Sequence, residues 1–363
     1  MSSHTSSDPT LCKPRIEKAY WGNVDGKIIW LYKLSMPNGL QMTVTNYGGI
    51  VQSLFVPTAN GKCVDVVLGY DSLHEYIQDP FCMGAVVGRF ANRIESGRVN
   101  IDGQWYKLTV TTDGFHQHGG TNGFHKKVWD AETFSEAGAV GIVLEYTSPH
   151  LEEGFPGNLS VKVVYTLFDA NKWSVDFFAE TDQATLINLT QHSYFNLGGH
   201  ASGTISNHLL QTYSPWYLPA TQRQIPTGKI DSVKETPFDF LIENRIGEEM
   251  DSQHPQLIVS KGYDHFFVLE KEHSLVLKPT CILTEPVSGM QMKVSTTEPG
   301  FHFYSGNFLS EIFLGKELKE YHTRSGLCIE THHFPDAPNH SHFPSTLLEP
   351  GKIFKSKTEF CFS

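Results

Sequence analysis

The chain has 363 residues, enough for a sizeable core, and 39% of them are hydrophobic while 18% are charged. Its net charge of −11 argues against nucleic acid or an anionic membrane as the main partner. The sequence contains no 18-residue apolar run and no signal-peptide core, so we expect no membrane association and a cytoplasmic location. Its six cysteines form no CxxC pair, which favours reduced thiols.

The predicted elements are mostly strands. Residues 1–16 are predicted to be a disordered tail, and residues 17–363 a single domain, because no linker, repeat or charge block marks a boundary. Short segments rich in Val, Ile, Phe and Tyr, bounded by Gly, Pro, Asn or Asp, predict a large antiparallel all-β fold. Only 72–79 and 310–320 could form a turn or two of helix. The predicted strands are 27–34, 40–46, 49–56, 105–110, 141–147, 159–168, 173–180, 265–270, 290–297 and 326–330.

Two polar stretches in the first third of the chain are candidate site segments. "GRFANRIESG" (88–97) places Asn92 and Arg93 after an apolar run, although a surface turn with Arg packed along its own stem explains it equally well. "HQHGGTNGFHKKVW" (116–129) places His118 before a double glycine, where backbone can approach a ligand closely. A glycine turn with incidental histidines is the alternative.

The third candidate is "INLTQHSYFNLGG" (187–199), which we predict to be a strand. Alternation puts Ile187, Leu189, Phe195 and Leu197 on one side. The other side collects compact, uncharged hydrogen-bonding groups around one imidazole, as suits a pocket wall for a polyhydroxylated ligand. A histidine with a purely structural role is the simpler interpretation. The residues of this polar side are Asn188, Thr190, His192, Tyr194 and Asn196.

Two carboxylates complete the set of candidates. Asp264 begins the strand in "KGYDHFFVLE" (261–270), where it could equally be a turn former or cap. Glu330 continues the apolar run of "GLCIETHHFPDAPN" (326–339), and a buried glutamate is unfavourable unless it is paired or functional.

The sequence argues against metal, phosphate-loop and serine-nucleophile chemistry. The histidines at 116, 118, 332 and 333 do not form HExxH, and no Cys pair supports zinc. "GGTNG" (119–123) lacks the Gly-Lys-Ser/Thr of a phosphate loop. Ser193 beside His192 lacks the GxSxG context of a nucleophile elbow. We therefore expect no metal and no cofactor.

Six motifs in order resemble the aldose 1-epimerase family, also called galactose mutarotase. The resemblance runs from about residue 17 to the C-terminus, and its longest element is the most specific. The motifs are "NRI", "HGG", "NLTQHSYFNLGG", "DH" followed by aromatics, "PGFHFYSGNF" and "LCIETHHFPDAPN".

The resemblance implies a large antiparallel β-sandwich of the galactose mutarotase type, with few short helices, an open cleft and no cofactor. It makes Glu330 the general base and His192 the general acid in the interconversion of α and β anomers of free hexoses such as glucose and galactose. A small sugar would be the partner, while the preferred hexose and the oligomeric state stay open. The residues implied or placed as substrate-binding are Asn92, Arg93, His118, Ser193, Tyr194, Asp264 and His302.

One departure from the family pattern matters most, while "THHF" after Glu330 also differs from the more frequent "TQxxPD"-like run. His302 stands where relatives commonly have Gln in "PGxQFYxGN", which affects the expected sugar preference more than the reaction type.

Three other functions are possible for these residues. A glycosidase could use Asp264 and Glu330 as its carboxylate pair. A hexose-phosphate epimerase should show more Arg or Lys around the cleft than Arg93, and Glu330 with His192 argues against a non-catalytic sugar-binding module.

Overall fold

The fold is built almost entirely from antiparallel strands. The computed structural model describes residues 13–270, 274–309 and 313–363. Its strands in chain order are β1 (Arg15–Val24), β2 (Lys27–Ser35), β3 (Gln41–Thr45), β4 (Val51–Pro57), β5 (Cys63–Asp65), β6 (Val86–Val87), β7 (Arg93–Ile94), β8 (Arg98–Ile101), β9 (Gln104–Lys107), β10 (His116–Gln117), β11 (Asp130–Glu136), β12 (Ala139–Ser148), β13 (Leu159–Phe168), β14 (Lys172–Thr181), β15 (Thr185–Leu186), β16 (Thr190–Gln191), β17 (Leu209–Thr212), β18 (Trp216–Leu218), β19 (Asp231–Ser232), β20 (Asn244–Arg245), β21 (Asp264–Val268), β22 (Lys278–Thr284), β23 (Gln291–Thr296), β24 (Gly300–Tyr304), β25 (Phe313–Leu314), β26 (Glu320–Tyr321), β27 (Cys328–His332), β28 (Leu347–Leu348) and β29 (Phe354–Phe362).

Three large sheets organise the described residues. The first contains β1 to β5 in chain order, and the second is a nine-stranded sheet in the order β11-β12-β13-β14-β29-β23-β22-β17-β20. The third is a five-stranded sheet in the order β19-β18-β21-β24-β27. One apolar cluster draws on all three sheets, because it includes Val44, Val163 and Phe303. The predicted β-sandwich is therefore confirmed.

The predicted strands at 27–34, 40–46, 49–56, 105–110, 141–147, 159–168, 173–180, 265–270, 290–297 and 326–330 all overlap observed strands. Their alternating apolar residues face the core, as in β13, where burial alternates over the first five residues. The prediction for 187–199 is only partly right. Regular pairing there is limited to β16, with isolated bridges at Asn188 and Phe195, and the side chains of Asn188 and Asn196 donate to loop carbonyls.

Helical structure is as sparse as the sequence predicts. Helix α1 (Leu73–Gln78) begins at Ser72, whose hydroxyl accepts from the Glu75 N–H while the Glu75 carboxylate accepts from the Ser72 N–H. Helix α2 (Pro255–Ser260) was not predicted. In the segment 310–320, residues 310–312 lie outside the described range, and the remainder contains β25, a single 3₁₀ turn and the first residue of β26.

The N-terminal segment, the cysteines and the helices can be compared with the sequence-based expectations. Residues 1–12 of the predicted tail lie outside the described range, while β1 begins at Arg15, two residues before the predicted domain start. The five cysteines among the described residues, at 63, 82, 281, 328 and 361, are free thiols. None of the helices in the described ranges combines the length and apolar character that crossing a membrane requires.

Candidate active site

Three neighbouring strands of the third sheet carry the first group of predicted site residues. In the register of β21, β24 and β27, Asp264 pairs with Tyr304, and His302 pairs with both Phe266 and Glu330. Because side chains two residues apart share a face, Asp264, His302, Tyr304 and Glu330 point to the same side of the sheet. The intervening Phe303 and Ile329 enter the apolar core on the opposite side.

The "NRI" and "HGG" motifs form a corner that faces this sheet. Strand β7 pairs with β10, and the N–H of His118 donates to the carbonyl of Asn92 at 3.0 Å. The Asn92 N–H in turn donates to Nδ1 of His118 at 3.3 Å. Gly119 has φ +83°, and a Cβ there would lie 1.7 Å from the carbonyl oxygen of Gly88, so this position requires glycine.

Backbone hydrogen bonds hold His192 in place. Its N–H donates to Ala85 and its carbonyl accepts from Gly84, both at 2.9 Å. The imidazole stacks on Tyr194 with ring centroids 5.2 Å apart and meets His118 edge-on at 5.3 Å. Asn188 donates from Nδ2 to the carbonyls of Ala91 and of His333, both at 3.2 Å, so it joins the corner to the end of β27.

These groups surround one cavity of about 140 Å³. That volume is small compared with the pockets of drug-sized ligands, which measure roughly 300–1,000 Å³. The lining residues are Pro80, Phe81, Cys82, Asn92, Arg93, Gln117, His118, His192, Tyr194, Asp264, His302, Tyr304, Phe308 and Glu330. Eight of the nine predicted site residues therefore share this cavity.

Ser193 is the predicted site residue that does not line the cavity. Its side chain is buried away from it, and its N–H donates to Oε1 of Gln191 at 2.9 Å. Successive residues of an extended segment point to opposite sides, so His192 and Tyr194 face the cavity while Ser193 cannot. The structure therefore does not bring Ser193 together with the other eight predicted site residues.

Asp264 is a buried anion held by two partners. Its Oδ2 lies 3.3 Å from a guanidinium nitrogen of Arg93, and its Oδ1 lies 2.6 Å from Nε2 of His302. Burial alone would raise the pKa of Asp264, but Arg93 and His302 together hold it well below the usual range. Asp264 therefore stays ionised, and it can accept hydrogen bonds but not donate a proton.

Glu330 and His192 show the opposite behaviour. Their side chains are 3% and 5% exposed, and Oε2 of Glu330 lies 3.5 Å from Nε2 of His192. Burial, reinforced by the charge of Asp264, raises the pKa of Glu330 to about 8. Burial lowers the pKa of His192 to about 4. Burial thus reverses the usual order of the two pKa values and pushes them apart, which is typical of an acid/base pair in a cleft.

Three side chains in the cavity could in principle bind a metal ion. Ligand-capable atoms of His118, His192 and Glu330 lie within 4.8 Å of one another. However, the Asn92 N–H donates to Nδ1 of His118, so in the neutral ring the hydrogen is on Nε2 and neither nitrogen offers a free lone pair. The donor set therefore fits a hydrogen-bonding site better than a metal site.

Several lining residues were missed by the sequence analysis. Tyr304 follows His302 by two positions in the same strand, so alternation could have identified it. Phe81 and Cys82 come from the loop after α1 and carry no sequence signal. Gln224 supports the site from outside the lining, where its Oε1 accepts from Arg93 at 2.9 Å.

Comparison with known proteins decides which family this arrangement belongs to. A family model described as aldose 1-epimerase matches residues 31–361. The chain belongs to the aldose 1-epimerase family. Galactose mutarotase from Bos taurus is 39% identical over 325 residues, which are 89% of this chain and 91% of that protein. Aldose 1-epimerase from Escherichia coli (strain K12) is 34% identical over 93% of this chain and 96% of that protein.

Solved structures support the fold of this aldose 1-epimerase family member. An aldose epimerase homologue from C. elegans superimposes with a TM-score of 0.81 at 29% identity, covering 90% of this chain and 96% of that one. A galactose 1-epimerase from Lactobacillus acidophilus NCFM gives a TM-score of 0.85 at 24% identity, covering 96% and 98%. The predicted family and the predicted fold type are both confirmed.

Proposed function

We propose that this chain is an isomerase that interconverts the α and β anomers of free hexoses such as glucose and galactose, with Glu330 as general base and His192 as general acid. Membership of the aldose 1-epimerase family supports the interconversion of sugar anomers. We propose in addition that free hexoses are the substrates and that these two residues have these roles. The observation that supports it most is the Glu330–His192 pair, 3.5 Å apart at the wall of a small polar cavity.

The reaction needs one group that accepts a proton and one that donates it. Ionised Glu330 removes the proton of the C1 hydroxyl while protonated His192 gives a proton to the ring oxygen, and the ring opens. Rotation about the C1–C2 bond presents the other face of the aldehyde. On closure, the C5 hydroxyl attacks this face, and the two groups exchange roles.

At pH values between their two pKa values, Glu330 and His192 together carry a single proton. With the pKa of Glu330 raised to about 8 and that of His192 lowered to about 4, the proton resides on Glu330 in the empty site at neutral pH. Oε2 of Glu330 accepts no hydrogen bond from the described residues. A sugar hydroxyl that donates there stabilises the carboxylate, so substrate binding favours transfer of the proton to His192.

The remaining lining residues suit a polyhydroxylated ligand. Asp264 accepts hydrogen bonds, and Nε2–H of His118 donates them, as does the guanidinium of Arg93, whose Nε has no partner among the described residues. Tyr194 packs against the imidazole of His192 and donates to the carbonyl of Phe81 at 3.2 Å, so it shapes the wall. We assign substrate binding to Asn92, Arg93, His118, Tyr194 and Asp264.

The lining of the cavity does not favour a glycosidase or a hexose-phosphate epimerase. A glycosidase with this pair could not use Asp264 as its acid, because Arg93 and His302 keep that carboxylate ionised, and as a nucleophile each of its oxygens would already accept one hydrogen bond. A phosphate group would need free cations, and Arg93 is the only Lys or Arg among the described lining residues. A cytoplasmic location stays a prediction.

Polarimetry tests the proposal directly. Freshly dissolved α-D-glucose and α-D-galactose should reach rotational equilibrium faster with the protein than without it, and Glu330→Gln should abolish most of the acceleration. Methyl α-glucoside, in which the C1 hydroxyl is blocked, should remain unchanged. Release of methanol from the methyl glycoside would instead support a glycosidase.

A further inference from the structure

Both ring nitrogens of His302 are already bonded to protein groups. Nε2 lies 2.6 Å from Oδ1 of Asp264, and Nδ1 lies 3.2 Å from Nδ2 of Asn92. The ring of His302 lies 6.2 Å from that of His332 and nearly parallel to it. In the sheet, His302 pairs with Glu330 on the neighbouring strand β27. His302 lines the cavity, yet it presents a ring whose polar atoms point along the wall.

The chemistry of the partners fixes which nitrogen carries the hydrogen. Ionised Asp264 can only accept, so Nε2 of His302 is the donor in that bond. Oδ1 of Asn92 accepts from the Arg93 N–H at 2.9 Å, which orients the amide and directs Nδ2 at the ring. Because an amide nitrogen only donates, Nδ1 of His302 is the acceptor.

These bonds close into a ring of four residues. Asp264 Oδ1 accepts from His302, His302 accepts from Asn92, and Asn92 accepts from the backbone of Arg93. The guanidinium of Arg93 then donates to Oδ2 of Asp264 at 3.3 Å. A closed circuit of this kind allows a single arrangement of donors and acceptors, because reversing one member leaves two donors or two acceptors facing each other.

We propose that His302 is a positioning residue, which holds Asp264 and Asn92 in the orientation that receives the sugar and makes no hydrogen bond to the sugar itself. This inference rests on the proposed function of the cavity. Once the circuit is closed, each oxygen of Asp264 and the second amide hydrogen of Asn92 remain available to substrate. His302 thus acts on binding through its neighbours, by ordering them before the sugar arrives.

Two substitutions separate positioning from direct contact. Gln at this position carries one donor and one acceptor, so His302→Gln can remake both bonds, whereas His302→Leu removes both and leaves Asp264 with Arg93 alone. We expect His302→Leu to lower kcat/KM by roughly ten- to a hundredfold, the range for a hydrogen bond to a charged group, mainly through KM. His302→Gln should recover most of that loss.

A double-mutant cycle tests whether His302 acts through Asp264. In an Asp264→Asn background the charged partner of Nε2 is absent and only the bond to Asn92 remains, so adding His302→Leu should lower kcat/KM by distinctly less than it does in the wild-type background. Fully multiplicative effects of the two changes would overturn the inference, because they would show that His302 works independently of Asp264. Equal impairment by Gln and Leu would also overturn it.

Nitrogen-15 NMR of the histidine side chains tests the circuit without any activity. In the wild-type protein His302 should carry its hydrogen on Nε2 and none on Nδ1 at neutral pH, and Asp264→Asn should change the Nε2 signal. A hydrogen on Nδ1 would overturn the inference even if the Leu variant fails to fold. A wild-type protein that shows this tautomer but no mutarotation would leave His302 as placed and refute the proposed function instead.

Discussion

Oε2 of Glu330 lies 3.5 Å from Nε2 of His192, and both side chains are buried. Among the described residues the nearby cation is Arg93, whose guanidinium is engaged by Asp264 and Gln224 and only partly offsets the effect of burial on the pKa of Glu330. A buried carboxylate in this position favours its protonated form, and the neighbouring imidazole favours its neutral form. The pair therefore shares one proton, and its behaviour with pH and substitution can be stated in advance.

Glu330→Gln should abolish catalysis while leaving binding nearly intact. The substitution keeps the size of the side chain and its ability to bond a hydroxyl but removes its capacity to accept a proton. We expect kcat to fall roughly 10²–10⁴-fold, the usual contribution of a positioned base, with little change in sugar affinity measured by calorimetry. His192→Asn is the matched change in the acid. Near-normal kcat in the Gln variant would refute the role of Glu330 as base.

The pH profile of kcat/KM should be bell-shaped, with limbs near pH 4 and pH 8. Below the lower value His192 takes up a second proton, and above the upper value Glu330 releases the one that the pair shares. Asp264 contributes to the high pKa of Glu330, so Asp264→Asn should move the alkaline limb to lower pH. Initial polarimetric rates over this range test both statements, and an alkaline limb that stays in place would contradict the assignment to Glu330.

Stability should respond to pH through the same carboxyl. Its pKa is raised from 4.5 to about 8 on folding, so the folded state holds a proton that the unfolded chain releases. As pH rises from 4.5 to about 8, the free energy of unfolding of the wild type should therefore fall relative to that of Glu330→Gln, by at most about 1.4 kcal/mol per pH unit. Above this range the difference between the two proteins should stay constant.

Urea unfolding of both proteins at several pH values within this window measures that difference. The same substitution of an exposed glutamate on β14, Glu180→Gln, serves as the control. Parallel stability curves for the wild type and the Glu330→Gln variant would show that the carboxyl is ionised in the folded protein.

The sequence allowed the individual site residues to be predicted better than their relationships. The apolar run before Glu330 predicts the strand that carries it, and the structure places Ile329 in the core and Glu330 on the other face of β27. It cannot show that His302 lies opposite Glu330, because that depends on the register between two strands far apart in the chain. His302 was predicted to bind substrate from its place in the family motif, and its bonds to Asp264 and Asn92 became visible only in three dimensions.

In the segment 187–199, some of the compact polar side chains line the cavity and others hold neighbouring loops. Its polar side was predicted to form a pocket wall, and His192 and Tyr194 do line the cavity. Asn188 and Asn196 instead bind backbone carbonyls of neighbouring loops. Compact uncharged side chains serve both purposes, since any buried polar group needs hydrogen-bond partners, so the sequence pattern alone does not separate them.

The last prediction concerns metal ions. His118, His192 and Glu330 approach one another closely enough to suggest a metal site, but a metal needs a nitrogen lone pair from His118. The Asn92 N–H occupies Nδ1 and leaves the hydrogen on Nε2, which directs a donor into the cavity. Exhaustive dialysis against EDTA should therefore leave kcat and KM unchanged, with metal content followed by elemental analysis. Loss of activity that one divalent cation restores would show that His118 adopts the other tautomer and that Glu330 and His192 act as metal ligands.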